Sequence, residues 1–309
     1  MSELHPCFDS AYVVHIKSDG CVNHDPRLNC FVNSNSALMI DVDKTLSAPI
    51  IIHYQTNISV DVNIQKNTHI HLLEYFDGIA RSSGSTTTSV TVADNAQAHF
   101  YQVSQVDTQS KVEHKRRACV QKNSYLSNHI FNLSLGVFAQ SIDIKLEGES
   151  ANTDFFLLDQ LSQSAQTETL LKVLHQGKDS ESRQLARTIY ADQTQGKFLG
   201  KVIVDKDASK SSAQQHYKTL LLSDKAKASV LPQLEINNDD ISASHGASIG
   251  ELDHNMLFYL QSRGIDPILA KTLLVSAFSS EITDTISQKD IALFVKDKVK
   301  DSLKRSLGT

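Results

Sequence analysis

The chain has 309 residues, 40% of them hydrophobic and 6% aromatic, and its 30 basic and 35 acidic side chains give a formal net charge of −5. That length can bury a substantial core in one elongated or two compact domains. The acidic balance argues against a nucleic-acid binder, which needs a basic face to neutralise phosphates. No apolar run of about 18 residues offers a membrane span, and no basic-then-apolar leader opens the chain. The four cysteines, Cys7, Cys21, Cys30 and Cys119, contain no C-x-x-C pair and make no disulfide framework. The expectation is a soluble, cytoplasmic protein in a reducing compartment.

Over the first two-thirds of the chain, short runs rich in Val, Ile, Thr, Tyr and Phe predict strands. They fall at residues 49–54, 58–64, 69–76, 89–92, 142–146, 198–204 and 219–222. Ile58, Val60, Val62 and Ile64 alternate with polar residues, the period of a half-buried strand. His69 and His71 share one face of such a strand. They could form half of a metal site, but no third ligand lies nearby in sequence, so a solvated strand face is expected. The segment at 84–89 (GSTTTS) reads as a mobile turn, and that at 114–117 (HKRR) as a solvated charged face. No long 3.6-residue period appears before residue 253. That excludes alternating β and α units and leaves a sandwich, a barrel or a β-solenoid. No strict repeat chooses among them.

Three helices are predicted after residue 253. The first runs to about Ser262 and stops at Gly264, behind Arg263. The second opens with Asp266 as N-cap and Pro267 at the first helical position, and carries an apolar stripe of Leu269, Leu273, Leu274, Phe278 and Ile282. The third opens with Ser287 as cap and Asp290 three residues on, and repeats Ile291, Val295, Val299 and Leu303 at every fourth position. Such stripes usually serve a chain's own core, although so small a helical unit can also use a partner.

Several segments, in order, resemble one known family. Residues 196–207 (GKFLGKVIVDKD) are similar to its G-x-F-x-G-K-x-x-V segment, and residues 214–226 (QQHYKTLLLSDKA) to its Q-x-x-x-x-LLL-S-x-x-A segment. Residues 232–240 (PQLEINNDD) match P-x-LEI-x-x-DD, and residues 242–265 (SASHGASIGELDHNMLFYLQSRGI) follow directly. Weaker echoes lie at 48–54, 73–78 (LEYFDG) and 175–186. The likeness spans about residues 35 to 285, and the family is SufB/SufD, scaffold proteins of iron–sulfur cluster assembly.

This resemblance implies a right-handed parallel β-helix followed by a C-terminal helical subdomain. It divides the chain into lead-in strands at 1–34, a β-helix core at 35–250 and a helical subdomain at 251–309. Gly196 and Gly200 would permit turns between rungs, with Leu234 and Ile236 alternating inward on a closing strand. The implied role is a non-catalytic subunit that pairs through its β-helix with a SufB-type subunit and docks a SufC-type ATPase through its helices. Pairing with a second copy of itself stays open beside that. The chain has no G-x-x-x-x-G-K-[ST] loop, so ATP hydrolysis would belong to the partner. No nucleic acid or membrane is expected as a partner.

His245 occupies the family's histidine position and is the candidate cluster ligand at the partner interface, since an imidazole is a competent iron ligand. Many family members carry cysteine two residues earlier, where this chain has Ala243. That points to the SufD type, with the thiolate on the partner and the iron–sulfur cluster held transiently between them. No cofactor is expected on the chain alone, and no flavin is assigned. SufD-type proteins commonly begin with a helical region, whereas strand-like sequence starts here by about Tyr12. The candidate ATPase-docking residues are Leu257, Phe258, Tyr259, Arg263, Ile265 and Phe278.

Two rivals compete. Residues 246–250 (GASIG) form a literal G-x-S-x-G, so Ser248 could be a hydrolase nucleophile. His254 is the only histidine beyond Ser248, only six residues on, which makes a poor triad. A carbohydrate-binding solenoid would need an aromatic-rich face, and tryptophan is absent.

Overall fold

The computed structural model describes residues 8, 11–17, 22–32, 37–77 and 84–307. Cys7, Cys21 and the expected boundary at 34–35 lie outside the described residues. The described strands in chain order are β1 (Tyr12–Ile16), β2 (Val22–His24), β3 (Cys30–Val32), β4 (Leu38–Val42), β5 (Ile50–Tyr54), β6 (Ser59–Ile64), β7 (His69–Asp77), β8 (Gly84–Val92), β9 (Gln97–Gln105) and β10 (Lys111–Val120). They continue as β11 (Tyr125–Asn132), β12 (Val137–Leu146), β13 (Asn152–Leu161), β14 (Gln166–His175), β15 (Glu181–Tyr190), β16 (Gln195–Val204), β17 (Ser211–Leu221), β18 (Lys227–Ile236) and β19 (Ile241–Glu251). Helices α1 (His254–Ser262), α2 (Pro267–Thr283) and α3 (Lys289–Leu307) follow.

From β4 onward each strand pairs in parallel with the strand two later, so odd-numbered strands build one sheet and even-numbered strands the other. This is a β-solenoid in which every turn adds one strand to each sheet. Lys111 lies beside Val137, Val137 beside Gln166, Gln166 beside Gln195 and Gln195 beside Lys227, a step of 26 to 32 residues. The uneven step explains why no strict repeat is visible in the sequence.

A conformational repeat is kept where the residue identity is not. Asn67, Asn95, Asn123, Ser150, Asp179 and Lys210 all have positive φ, one per turn. The N–H of each bonds a carbonyl in the next turn, as Asn95 N–H does to Lys122 O at 2.9 Å and Asn123 N–H to Glu149 O at 2.9 Å. Asparagine and aspartate tolerate this left-handed conformation best among side-chain-bearing residues. After each comes a buried small residue: Thr68, Ala96, Ser124, Ala151, Ser180 and Ser211. Together the two positions let the chain reverse at every rung without crowding the rung beside it.

Between the sheets lies a continuous core from Val14 and Ile16 through Phe100, Phe138 and Phe155 to Tyr217. It is not purely apolar. Glu74, Gln102, Arg116, Asn128 and Gln140 are all buried. Arg116 pairs with Glu74, which also accepts from Tyr54 Oη at 2.8 Å and Thr88 Oγ1 at 2.6 Å. Burial would push the Glu74 carboxyl up, but the Arg116 charge and these hydroxyls bring it below its ordinary value. Burial holds the neighbouring His114 at about 4, hence neutral.

This interior corrects three sequence expectations. The HKRR cluster is half core, because its residues alternate on β10 and put His114 and Arg116 inside. The GSTTTS segment is part of strand β8, with Thr86 and Thr88 buried. Gly196 and Gly200 lie within β16 rather than at turns. A Cβ on Gly196 would sit 2.0 Å from the Tyr190 ring, and one on Gly200 2.0 Å from Tyr217 Oη, so both glycines make room for interior tyrosines.

Helices α2 and α3 fold back over the outer face of the odd-numbered sheet. Val275, Ile282, Ile291, Phe294, Val295, Val299 and Leu303 pack there with Ile51, Leu73, Tyr75, Val103, Phe131, Leu158 and Ile189. The predicted stripe of α3 is therefore its buried face. The α2 stripe is corrected: Ala270, Val275, Ser279 and Ile282 face the sheet, while Leu269 and Leu273 are exposed. The α3 cap also shifts by one residue, to Gln288, whose Oε1 accepts from Ile291 N–H at 2.7 Å.

Candidate functional site

Among the described residues, no strand lies beyond the last turn, β18 and β19, in either sheet. Its apolar side chains are covered from one side only. Val230, Leu234, Ile241 and Ala243 pack half-buried against the core below, while Leu231 (47%), Ile236 (43%) and Ile249 (48%) are exposed. Both residues expected to turn inward hold inward positions, Leu234 beside Val202 and Ile236 beside Val204, but only Leu234 is half-covered and Ile236 is left exposed. Strand edges of ten and eleven residues with few charges are what soluble proteins ordinarily shield.

His245 lies on this terminal strand. The register sets it beside Gln215, whose side chain is buried in the interior and bonds Gln184 Oε1 and Gly200 O. His245 thus holds an inward position of the rung but is exposed, since no further turn covers it. Ala243 takes the next inward position, beside Ala213. Among the described cysteines, Cys30 is buried, with its thiol pushed up to about 11 by burial, and Cys119 is half-buried with its thiol also raised. Neither belongs to the last turn, so the described part of the chain offers no thiolate there.

Ser248 sits inside β19 beside Lys218, and neither Gly246 nor Gly250 has positive φ. The sharp strand-to-helix elbow that activates a G-x-S-x-G serine is absent. His254 lies 3.6 Å from Glu251 on the exposed surface.

Beyond β19, Asp253 caps α1 by accepting from the Asn255 and Met256 N–H groups. The helix ends as expected: Gly264 has φ of +84°, its N–H bonds Gln261 O, and Ile265 N–H bonds Leu260 O. No residue of α1 is buried. Phe258 is 71% exposed, and Met256, Tyr259, Ile268, Leu269 and Leu273 are exposed with it. Arg263 stacks over the Tyr259 ring at 5.3 Å.

The six docking candidates therefore separate. Phe258, Tyr259 and Arg263 are open to solvent, whereas Leu257 and Ile265 are half-buried. Leu257 lines a groove of about 590 Å³ with Leu221, Leu252 and Ile268. Phe278 is half-buried where α2 meets the sheet, under the Arg187 guanidinium, which is itself paired with Glu281 at 2.5 Å. It holds the helix down rather than facing outward. Sequence reasoning missed Leu269 and Leu273 as exposed residues, because a helical stripe does not reveal which side the sheet covers. It also missed His99, which the solenoid brings beside His71 from one turn later.

Comparison with known proteins places this geometry. Residues 51–278 match the family model described as SUF system FeS cluster assembly, SufBD core domain. The iron–sulfur cluster assembly SufBD family protein slr0076 of Synechocystis is 32% identical over 228 residues, covering 67% of this chain and 50% of that protein. The iron–sulfur cluster assembly protein SufD of Escherichia coli is 31% identical over 53% of this chain and 39% of its own length. SufD of Bacillus subtilis is 33% identical over 42% of this chain and 30% of its own. The chain thus spans half or less of these relatives. Among the described residues no helix is long and apolar enough to cross a membrane. With the matched region running from β5 into α2, the chain belongs to the SufB/SufD family of iron–sulfur cluster assembly proteins, and within it to the SufD type.

Proposed function

We propose that this chain is a SufD-like scaffold subunit, acting without chemistry of its own in a complex that assembles and transfers iron–sulfur clusters. The observation that carries this reading is the open last turn. Two long unpaired strand edges with half-covered apolar side chains suit β-strand addition by a partner with a similar end. The occupant we infer is a SufB-type subunit, whose terminal strands would continue both sheets.

In that arrangement His245 would lie at the seam. Its imidazole can offer one nitrogen to iron, while Ala243 offers nothing, so thiolates must come from the partner. The cluster is cargo held between subunits rather than a resident group. The exposed apolar surface of α1 and the start of α2, around Phe258, Tyr259, Leu269 and Leu273, would receive a SufC-type ATPase, with Arg263 as its charged rim. Such a division leaves ATP hydrolysis to that partner and the positioning of subunits to this chain. A cytoplasmic location fits the reading.

Co-expression with SufB- and SufC-type partners tests it. Both partners should co-purify with the chain. Charged substitution at Ile249 should release the first and Phe258→Asp the second. Purification of the chain free of both would end the proposal. Within the assembled complex, His245→Ala should lower cluster yield, and an unchanged yield would remove the ligand role.

A further inference from the structure

The outer face of the odd-numbered sheet carries a group that the scaffold reading does not use. His69 and His71 point the same way from β7, and the 28-residue register step sets His99 of β9 directly beside His71. The His71 and His99 rings stack at 4.7 Å, and His69 lies 5.1 Å and 5.2 Å from them. One nitrogen from each ring falls within 4.8 Å of the others. Three ligands around a tetrahedral ion stand about 3.3 Å apart, so modest ring rotations close the difference.

The surroundings orient the rings as metal ligands require. Nδ1 of His99 shares a hydrogen bond with Ser127 Oγ at 2.8 Å, and Nδ1 of His71 shares one with Tyr101 Oη at 3.2 Å. With those nitrogens engaged by hydroxyl oxygens, Nε2 of each ring is the free donor. Nε2 of His69 is buried and has no hydrogen-bond partner.

We propose that His69, His71 and His99 form a three-histidine site for a divalent transition-metal ion of the zinc class, with the fourth position open to water or another ligand. A set of three imidazoles without carboxylate or thiolate favours zinc, cobalt, nickel or copper over calcium or magnesium. The site is independent of the scaffold reading, because the four strands β11, β13, β15 and β17 separate β9 from β19 in the same sheet. It also touches the helical unit: Tyr101 Oη, bonded to His71, lies 3.3 Å from Ser287 Oγ in the turn before α3. Metal binding would brace that turn.

The test is titration of the chelator-stripped full chain with cobalt(II), followed by its visible absorption, with zinc as competitor. One equivalent should bind with the intense bands of a tetrahedral site, be displaced by zinc, and raise the Tm. His71→Ala and His99→Ala should each weaken binding at least tenfold, Ser127→Ala by about tenfold through loss of orientation, and His245→Ala not at all. If the His99 variant fails to fold, His69→Gln serves in its place, because its Nε2 holds no hydrogen bond. Absence of stoichiometric uptake, or uptake that survives the histidine substitutions, would overturn the site.

Discussion

The middle of the solenoid and its last turn are made of the same element, a strand of about ten residues alternating inward and outward, yet they solve opposite problems. Around β7 to β12 the interior is covered above and below, and it encloses an ion pair hydrogen-bonded to amides and hydroxyls from neighbouring turns. At β18 and β19 the inward residues apart from His245 are small or apolar, and Ala228, Val230, Leu234 and Ala243 remain half-covered. A charge survives inside only where neighbouring turns supply partners on both sides, since an unpaired buried charge costs several kcal/mol. The last turn has no second neighbour, and its apolar lining suits a partner that provides one.

The comparison is broken most severely at its polar centre. Arg116→Met leaves the Glu74 carboxylate buried without its counter-charge and should cost about 3–5 kcal/mol in denaturant unfolding. Adding Glu74→Gln should recover much of that loss. If the single variant is as stable as the parent, the pair is not what the core depends on.

Asp159 gives a second, pH-dependent contrast. Burial, opposed by the Tyr190 hydroxyl, pushes its carboxyl from 3.8 up to about 7. The folded state then keeps a proton that the unfolded chain releases near pH 4. Its contribution is therefore full below about pH 4 and is lost as pH rises through 7, by roughly 2–4 kcal/mol in total. Asp159→Asn should flatten that part of the stability–pH curve and stabilise the chain at pH 8. Buried His175, lowered to about 4 by desolvation, acts in the other sense. Its contribution is present above about pH 6.5 and lost as pH falls towards 4, so His175→Gln should reduce the loss of stability on acidification.

Smaller effects belong to the turns and the open end. Asn123→Ala at positive φ should cost about 1 kcal/mol and Asn123→Gly almost nothing, a difference readable in thermal melts. Ile249→Ser on the last turn should change monomer stability by no more than about 0.5 kcal/mol, because that side chain is already half exposed. A large loss there would mean that the terminal turn is part of the chain's own core.

Much of this protein is legible in local stretches of its chain. Period-two runs such as 58–64 marked real strands, Asp253, Asp266, Pro267 and Gly264 marked helix ends where they fall, and the ordered motifs from 196 to 265 carried the family. Those signals are local, so a single stretch of chain suffices to read them. The remaining features depend on how the turns stack, which no single stretch of chain reveals. Arg116 and His114 looked like surface because charge usually seeks water, and only stacking brings Glu74, Gln102 and Asn128 around the guanidinium. Leu269 and Leu273 looked like core because a helix stripe does not say which side the sheet will cover. His99 stood apart from His69 and His71 until the rung step laid it beside them. His245 was legible as a family position, but its exposure on an inward position follows from being on the last turn, where coverage ends.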